Sequence, residues 1–79
     1  MKNNMTNSKK NRRIASNEIV LEDGSCLTLS VVEIQSGIVS SVYPLTQELP
    51  HTEWLPGTLC LKRDSEGMLR AYYNDLIIN

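Results

Sequence analysis

The sequence lacks the long apolar runs that would place it in a membrane or in a secretory pathway. No stretch of 18 apolar residues occurs, so we expect no membrane-spanning helix. A secretory signal needs an apolar core of about 7 to 15 residues after its positive start. The amino-terminal segment offers only Met1 and Met5 as apolar residues. These absences predict a cytoplasmic protein that does not bind a membrane.

Cysteine and histidine are scarce, which argues against two common stabilisers of small domains. Cys26 and Cys60 are the only cysteines, and without a secretory signal they are expected to be reduced and buried. A zinc site needs three or four ligands at short spacings, whereas His51 is the only histidine. The sequence therefore predicts no metal and no cofactor. With 79 residues in a single small domain, self-association as a homodimer is the expected extra source of stability.

The amino-terminal segment 1–13, MKNNMTNSKKNRR, contains basic residues and no acidic ones. It leaves a net charge of -6 on residues 14–79 out of the total of -1. Because it can bury little apolar surface, residues 1–13 are predicted to be a disordered basic tail, and residues 14–79 a single small β domain. Phosphate contacts of the tail are an alternative that would give nucleic-acid binding. The acidic domain and the absence of interleaved aromatic residues argue against nucleic acid as a partner.

Short apolar runs separated by turns follow the tail, which is typical of an all-β chain. Turns are predicted at Asp23-Gly24, at Ser36-Gly37 and after Asn74. Alternation in the second run changes phase between Val31 and Val32, which predicts a β-bulge there. The fold class is mainly β. We expect a small antiparallel sheet, or a partly open β-sandwich or barrel, of about five or six strands with one short helical turn in the crossover.

The crossover is assigned to residues 44–58, PLTQELPHTEWLPGT, which contain all three prolines of the chain. Proline cannot donate to a sheet ladder, so this spacing is expected to exclude a central strand. A helical turn is predicted over residues 46–49. Trp54 is expected to fold back on the sheet as an anchor at the rim of the core. The alternative is an exposed aromatic patch of Trp54, Tyr43, Tyr72 and Tyr73 that binds a partner or ligand.

His51 and Glu53 are the residues that come nearest to acid–base chemistry, because a nearby carboxylate can tune an imidazole. The sequence supplies no activated nucleophile and no third group to orient His51. It therefore predicts no catalytic residue and a protein that is not an enzyme. Binding of a small ligand near His51 and Trp54 is kept as an alternative.

Two resemblances are carried by the same segments. Residues 14–45, with the phrases EDG, VVEIQSG and IVSSVYPL, resemble the amino-terminal β-module of amidohydrolase-superfamily enzymes. The H-x-H metal pair that follows that module has no counterpart here, so no catalytic role is implied. Residues 13–76, with the distinctive phrase PLTQELPHTEW, resemble a family of short uncharacterised proteins from gut Bacteroidales. That resemblance implies a compact β-rich fold.

The carboxyl-terminal phrase DLIIN suggests where two copies would meet. Leu76, Ile77 and Ile78 form a nearly unbroken apolar run, which is poorly suited to solvent. A small open sheet also leaves edge strands with unpaired backbone groups. Pairing with a second copy would satisfy both needs, so the sequence predicts a homodimeric protein-interaction or scaffold module.

Overall fold

The computed structural model describes residues 11–79, which form six β-strands and no helix. The strands are β1 (Asn11–Val20), β2 (Cys26–Gln35), β3 (Ile38–Pro44), β4 (Glu53–Arg63), β5 (Leu69–Tyr73) and β6 (Leu76–Ile77). The sheet thus begins at Asn11 rather than at Ile14, which corrects the predicted boundary of the tail. Arg12 and Arg13 pair with β2 in the sheet, and carboxylates on neighbouring strands bind both side chains. Residues 1–10 of the predicted tail lie outside the described residues.

The strands form one mixed sheet in the order β3-β2-β1-β4-β5-β6. β1, β2 and β3 pair antiparallel, as the predicted meander requires, and β4, β5 and β6 form a second antiparallel run. The two runs join where β4 pairs parallel to β1. β3 and β5 approach each other although β2, β1 and β4 lie between them in the sheet. The sheet is therefore curled into a half-barrel, which confirms the mainly β, partly open fold.

The concave face of the half-barrel carries the hydrophobic core. Its buried members are all aliphatic, and they come from four of the six strands and from the segment after β6. Full burial of one such side chain contributes about 1.5 to 3 kcal/mol to stability. The members are Ile14, Ile19, Val32, Ile34, Leu59, Leu61, Ala71 and Ile78.

The predicted change of alternation in β2 is present, but it lies at a different residue. In a regular strand, residues an odd number of positions apart point to opposite faces. Leu27 and Val32 are an odd number of positions apart, yet both pack on the core. The phase therefore changes between these two residues, before Val31 rather than after it. Leu29 lies between them with a φ of 45°, a conformation that bulky residues rarely adopt. The pairing register of β2 with β1 is continuous across this point.

β4 contains a bulge that its neighbour β1 supports. The pairing register between β1 and β4 shifts between Ser16 and Glu18. At this shift Pro56 and Gly57 lie together opposite Asn17. Asn17 Oδ1 accepts the Gly57 N–H at 2.8 Å, and Ser16 Oγ donates to the Gly57 carbonyl at 2.9 Å. Side chains of β1 thus satisfy the backbone groups that the bulge removes from the ladder.

The expectation that the prolines exclude a central strand from residues 44–58 is wrong for Pro56. β4 begins at Glu53 and lies between β1 and β5 in the sheet. Its pairing with β5 begins only at Leu59, so Pro56 has a neighbouring strand on one side. Because Pro56 also sits in the bulge, its missing N–H breaks no ladder bond.

The crossover from β3 to β4, residues 45–52, contains no helical turn, so that prediction is wrong for residues 46–49. The crossover spans three strand spacings of about 4.8 Å each, which favours an extended chain over a helix that rises about 1.5 Å per residue. Pro50 also disfavours a helical conformation at Leu49. The crossover lies on the outer face of the sheet, where Arg13 Nη1 donates to the Pro50 carbonyl at 3.0 Å.

Two contacts hold the carboxyl-terminal part of the sheet in place. Arg70 Nη1 donates to the Gly37 carbonyl at 2.9 Å, which joins β5 to the turn between β2 and β3. The Ile78 N–H donates to the Ala71 carbonyl at 2.9 Å, and this holds the segment after β6 against β5. Ile78 is only 7% exposed as a result.

Candidate functional site

One cross-strand row of side chains lies on the outer face of the sheet, beside the crossover. Tyr43, Val31, Ala15 and Trp54 are successive partners across β3, β2, β1 and β4. Ala15 and Val31 are buried, yet they alternate with core residues and so point away from the core. Tyr43 and Trp54 flank this small second buried cluster at its two ends. The structure therefore places two members of the predicted aromatic patch on the same face of the sheet, with two buried residues between them.

Trp54 is not the core anchor that the sequence predicts. Its side chain is 48% exposed. The reason is the alternation of β4, in which Leu55 packs against the core and Trp54 consequently points outward. The other two members of the predicted patch, Tyr72 and Tyr73, lie on β5 away from the Tyr43 to Trp54 row, and Tyr73 packs against the core.

Glu33 is the centre of a hydrogen-bond network beside this row. The Tyr43 hydroxyl donates to Glu33 Oε2, and Arg13 Nε donates to the same oxygen at 3.2 Å. The Tyr43 bond, followed by the Arg13 contacts, lowers the pKa of the Glu33 carboxyl, while desolvation opposes them. The Glu33 carboxylate in turn raises the pKa of the Tyr43 hydroxyl. The network links β1, β2 and β3 and holds Tyr43 in place.

His51 and Glu53, the pair considered for acid–base chemistry, have different partners. Glu53 accepts two hydrogen bonds from Arg12, at 2.6 and 2.8 Å. These bonds lower the pKa of the Glu53 carboxyl and raise the pKa of the Arg12 guanidinium. His51 is exposed in the turn before β4, with a φ of 56°. It lines a shallow depression of about 290 Å³ together with Arg13 and Glu33.

The ion pairs also bear on the nucleic-acid alternative. Arg12 and Arg13 are two of the cations assigned to the predicted tail, and both are bound by carboxylates within the sheet. Their charge is therefore largely neutralised before any phosphate approaches. This observation does not favour a nucleic-acid function for the described residues.

The carboxyl-terminal edge shows a different distribution from the predicted apolar run. Leu76 is 72% exposed and Ile77 is 43% exposed on the edge strand β6. Ile78 belongs to the core, so it is not available as the interface residue that the sequence predicts. Tyr72 pairs with Ile77 and is half-buried, and the Lys62 Nζ lies 5.1 Å from the centre of its ring.

The backbone of Ile77 also faces outward. Successive residues of an antiparallel pair direct their N–H and C=O groups alternately toward the partner strand and away from it. Because the Ile78 N–H is bonded to Ala71 on β5, the backbone groups of Ile77 point away from β5. Ile77 is thus a donor and acceptor pair on an open sheet edge, beside the exposed side chain of Leu76.

The two cysteines lie in one cross-strand row with Val20 between them. Cys26 pairs with Val20, and Val20 pairs with Cys60. Two strand spacings place their Cα atoms about 10 Å apart, beyond the reach of a disulfide at about 7 Å. Both thiols are free, but Cys26 is exposed, so the prediction that it is buried is wrong. Residues 11–79 contain no group of three or more His, Cys, Asp or Glu side chains that could hold a metal ion.

A cleft opens between β3 and β5, where the half-barrel does not close. We call it the half-barrel cleft; its volume is about 390 Å³. Its walls are aliphatic and its rim, in the loop after β1, carries two carboxylates. The residues that line it are Leu21, Glu22, Asp23, Val42, Leu61 and Leu69.

The free edge of β3 borders the half-barrel cleft. The Leu45 N–H donates to the Leu29 carbonyl at 3.0 Å, so the backbone of Leu45 points toward β2. By alternation, the N–H and C=O groups of Val42 point away from β2. β3 is the terminal strand of the sheet, so these two groups have no ladder partner among the described residues.

The free edge of β5 lies on the other side of the cleft. The Ala71 carbonyl accepts the Ile78 N–H, so the backbone of Ala71 points away from β4. Leu69 has the same phase and also directs its N–H and C=O groups away from β4. β6 pairs with β5 only at Tyr72 and Tyr73. The backbone groups of Leu69 are therefore not bonded to a strand within the described part of the chain.

Sequence reasoning missed the half-barrel cleft. Val42 and Leu69 belong to runs that are distant in the chain, and local alternation marks both only as inward-facing. Their approach depends on the curl of the whole sheet, which no local pattern reports. The one available signal was the loop EDGS, which predicts two acidic residues at a turn.

Comparisons of the chain with protein-family models, with curated proteins and with solved structures found no match. The resemblances to the amidohydrolase module and to the Bacteroidales family therefore stay predictions. None of the described residues belongs to a helix long and apolar enough to cross a membrane.

Proposed function

We propose that this protein is a non-enzymatic interaction module that self-associates as a homodimer through β6. The observation that carries the proposal is the exposure of Leu76 and Ile77, at 72% and 43%, on an edge strand. Proteins commonly protect such edges with charged residues, proline or a covering segment. β6 consists of Leu76 and Ile77 alone and contains no charged residue or proline, so its short length is the one protection it has.

A twofold arrangement around Ile77 is consistent with the direction of its backbone groups. If two copies of β6 lie antiparallel, each Ile77 N–H can donate to the Ile77 carbonyl of the other copy. The same arrangement would cover the two exposed Leu76 side chains and extend the sheet across the dimer. Such an interface uses the same surface twice, as twofold dimers do.

The short length of β6 limits the strength of this dimer. Stable interfaces bury about 800 Å² on each partner, and a strand of two residues with Tyr72 beside it supplies only part of that area. We therefore expect a dissociation constant in the micromolar range or weaker, roughly 8 kcal/mol of binding free energy or less.

Sedimentation velocity on the full chain over about 5 to 500 μM tests the proposal across the expected range of affinity. The decisive variant is Ile77→Lys, which places a charge on the edge. Met68→Lys is the matched control, because Met68 and Ile77 are both 43% exposed and Met68 lies in the loop before β5. We expect the wild type and Met68→Lys to dimerise and Ile77→Lys to stay monomeric, with far-UV circular dichroism unchanged in all three.

A wild-type chain that stays monomeric at every concentration contradicts the proposal. An Ile77→Lys variant that dimerises as well as Met68→Lys contradicts the assignment of the interface to β6.

We also propose a cytoplasmic location, for which the support is the pair of free thiols at Cys26 and Cys60. The test is to lyse cells directly into an alkylating agent without a reductant. Both thiols should then be alkylated. Oxidised thiols in the isolated protein would count against this location.

A further inference from the structure

We propose that the free side of β4 beside Trp54 binds an extended basic peptide segment of a protein partner, with an arginine or lysine side chain over the Trp54 indole. We call residues 53–58 of β4 the open β4 edge. The segment would pair antiparallel with this edge, in line with β5. The open β4 edge is separate from β6, so the inference does not depend on the homodimer proposal.

The amino-terminal part of β4 has a strand on one side only. β4 begins at Glu53, but β5 pairs with it only from Leu59 onward. Within the described part of the chain, β1 is the one strand that pairs with residues 53–58. All of these residues except the half-buried Leu55 are exposed, and a Cβ at Gly57 would meet nothing within 4 Å. The open β4 edge therefore has room for a further strand.

The backbone of Trp54 is directed toward this free side. The Pro56 carbonyl accepts the hydroxyl of Tyr73, on β5, at 2.5 Å, so it points away from β1. Gly57 directs its N–H and C=O toward side chains of β1. By alternation, the N–H and C=O of Trp54 point the same way as the Pro56 carbonyl. Pro56 has no N–H, so Trp54 supplies the donor and acceptor pair to which an added strand can bond.

The side chains beside this backbone pair indicate the sequence of the segment. A peptide residue opposite Trp54 would lie on the outer face, next to an indole that is 48% exposed. The two peptide residues that flank it would point to the concave face, where Leu55 and Tyr73 pack partly against the core. Apolar side chains there would cover Leu55. We therefore expect the residue that contacts the indole to stand between two apolar residues.

The charge of the domain favours a cation at the indole. Residues 11–79 contain all nine acidic residues of the chain and five of its eight lysines and arginines. The four arginines each bind a carboxylate, and Lys62 lies over the ring of Tyr72. Five acidic residues have no ion pair in this part of the chain: Glu18, Asp23, Glu48, Glu66 and Asp75.

Two of these carboxylates lie near the open β4 edge. Glu18 pairs with Thr58, and its Oε1 accepts the Thr58 hydroxyl at 3.3 Å. Asp75 belongs to the turn that follows Tyr73, the last residue of β5. A cation over the face of a tryptophan ring is attracted by the ring, and the attraction is stronger than for other aromatic residues. An arginine or lysine opposite Trp54 would gain both this contact and the field of the two carboxylates.

The probe is a capped pentapeptide of threonine, valine, arginine, valine and threonine, titrated into the full chain at about 5 μM. Trp54 is the only tryptophan, so its fluorescence reports on the open β4 edge. One comparison peptide has glutamate in place of arginine, and the other has a methyl group on the main-chain nitrogen of the arginine. We expect a saturable change in emission with the first peptide, about 3- to 30-fold weaker binding of the glutamate peptide, and no saturable change with the methylated one.

A pair of double variants isolates the role of the carboxylates. Glu18→Gln with Asp75→Asn removes two charges near the open β4 edge, and asparagine tolerates the φ of 67° at position 75. Glu48→Gln with Glu66→Gln is the matched control, because these carboxylates are also without an ion pair among the described residues. The first pair should lower the preference for arginine over glutamate by at least about twofold, and the second should retain it.

Two single variants separate the indole from the backbone and from the dimer, with ¹⁵N amide shifts as the readout. Trp54→Leu keeps the backbone pair and removes the aromatic ring. It should weaken the arginine peptide about two- to fivefold more than the glutamate peptide. Ile77→Lys, which blocks the proposed dimer, should bind the arginine peptide as the wild type does.

Three results would overturn the inference: no saturable binding of the arginine peptide up to about 2 mM, a range that covers the weakest specific complexes; equal affinity for the arginine peptide and its methylated form; or equal affinity for the arginine and glutamate peptides. The sedimentation experiments above do not share these readouts. Failure of one proposal is therefore distinguishable from failure of the other.

Discussion

Substitution of Gly37 by alanine tests how the half-barrel is held closed at one end. Gly37 has a φ of 81°, and Gly24, in another hairpin turn, has a φ of 89°. Alanine at either position would be strained by about 1 to 2 kcal/mol in this left-handed conformation. Part of this cost, about 0.4 to 1 kcal/mol, is offset because alanine lowers the conformational entropy of the unfolded chain. The two sites differ in their surroundings. A Cβ at Gly37 would lie 2.6 Å from Arg70 Nη1, whereas a Cβ at Gly24 meets nothing within 4 Å.

The extra cost at Gly37 follows from the bond that Arg70 would lose. Arg70 Nη1 donates to the Gly37 carbonyl at 2.9 Å, and its side chain is only 22% exposed. A hydrogen bond from a charged donor contributes about 1.5 to 3 kcal/mol when it is well formed. Because the flexible end of Arg70 can move away, we expect Gly37→Ala to cost about 1 to 2 kcal/mol more than Gly24→Ala. In a domain of this size the difference corresponds to roughly 4 to 16 °C in Tm.

Urea unfolding followed by far-UV circular dichroism measures both variants, in the wild-type and in an Arg70→Met background. The double-mutant comparison isolates the contact. Without the guanidinium, the two alanine variants should cost the same. Equal costs in the wild-type background, or a difference that persists with Arg70→Met, would refute the reasoning that Arg70 fastens β5 to the turn before β3.

Three further predictions concern single side chains. Trp54→Ala should lower the free energy of unfolding by about 1 to 2 kcal/mol, since the indole is half exposed. Leu59→Ala, at a buried position, should lower it by about 2 to 5 kcal/mol. Urea unfolding measures both, and equal losses would contradict the outward orientation of Trp54. Tyr43→Phe should raise the pKa of Glu33 toward its ordinary value of 4.5, as measured by carboxyl ¹³C NMR titration, and an unchanged value would show that the hydroxyl bond is unimportant. The pKa of Glu53 is lowered in the folded state. The ionised Glu53 carboxylate therefore stabilises the fold at pH values above its ordinary pKa of 4.5, and this contribution is lost as the pH falls through its folded-state pKa. Glu53→Gln should therefore reduce stability near neutrality by at most about 1 kcal/mol and by less in acid, and a loss that grows in acid would contradict this sign.

The sequence predicts the strands of the amino-terminal half better than it predicts β4. The first three strands and their turns follow from alternation and from turn residues such as Ser36 and Gly37, because both signals are local. β4 could not be assigned in full, since Pro56 is compatible with a strand only when a bulge and Asn17 support it. Both requirements arise from contacts with β1, far away in the chain.

The candidate surfaces depend even more on tertiary structure. The exposure of Leu76 and Ile77 follows from their own run of residues, and the prediction of an exposed edge there is consistent with the structure. Ile78 is buried because the half-barrel curls back to meet it. The orientation of Trp54 depended on the phase of β4, which the proline-rich segment concealed. Val42 and Leu69 became neighbours of one cleft only through the curl of the sheet.

Amide hydrogen exchange at Val42 and Leu69, followed by NMR on the full chain at a concentration where it is monomeric, tests the half-barrel most directly. Their N–H groups point into the open cleft, whereas those of Tyr43 and Arg70 point into the ladders with β2 and β4. We predict that Val42 and Leu69 exchange at least about tenfold faster than Tyr43 and Arg70, since exchange is rapid where no hydrogen bond must open. Equal protection at the four amides would show that β3 and β5 pair directly, and would contradict an open half-barrel.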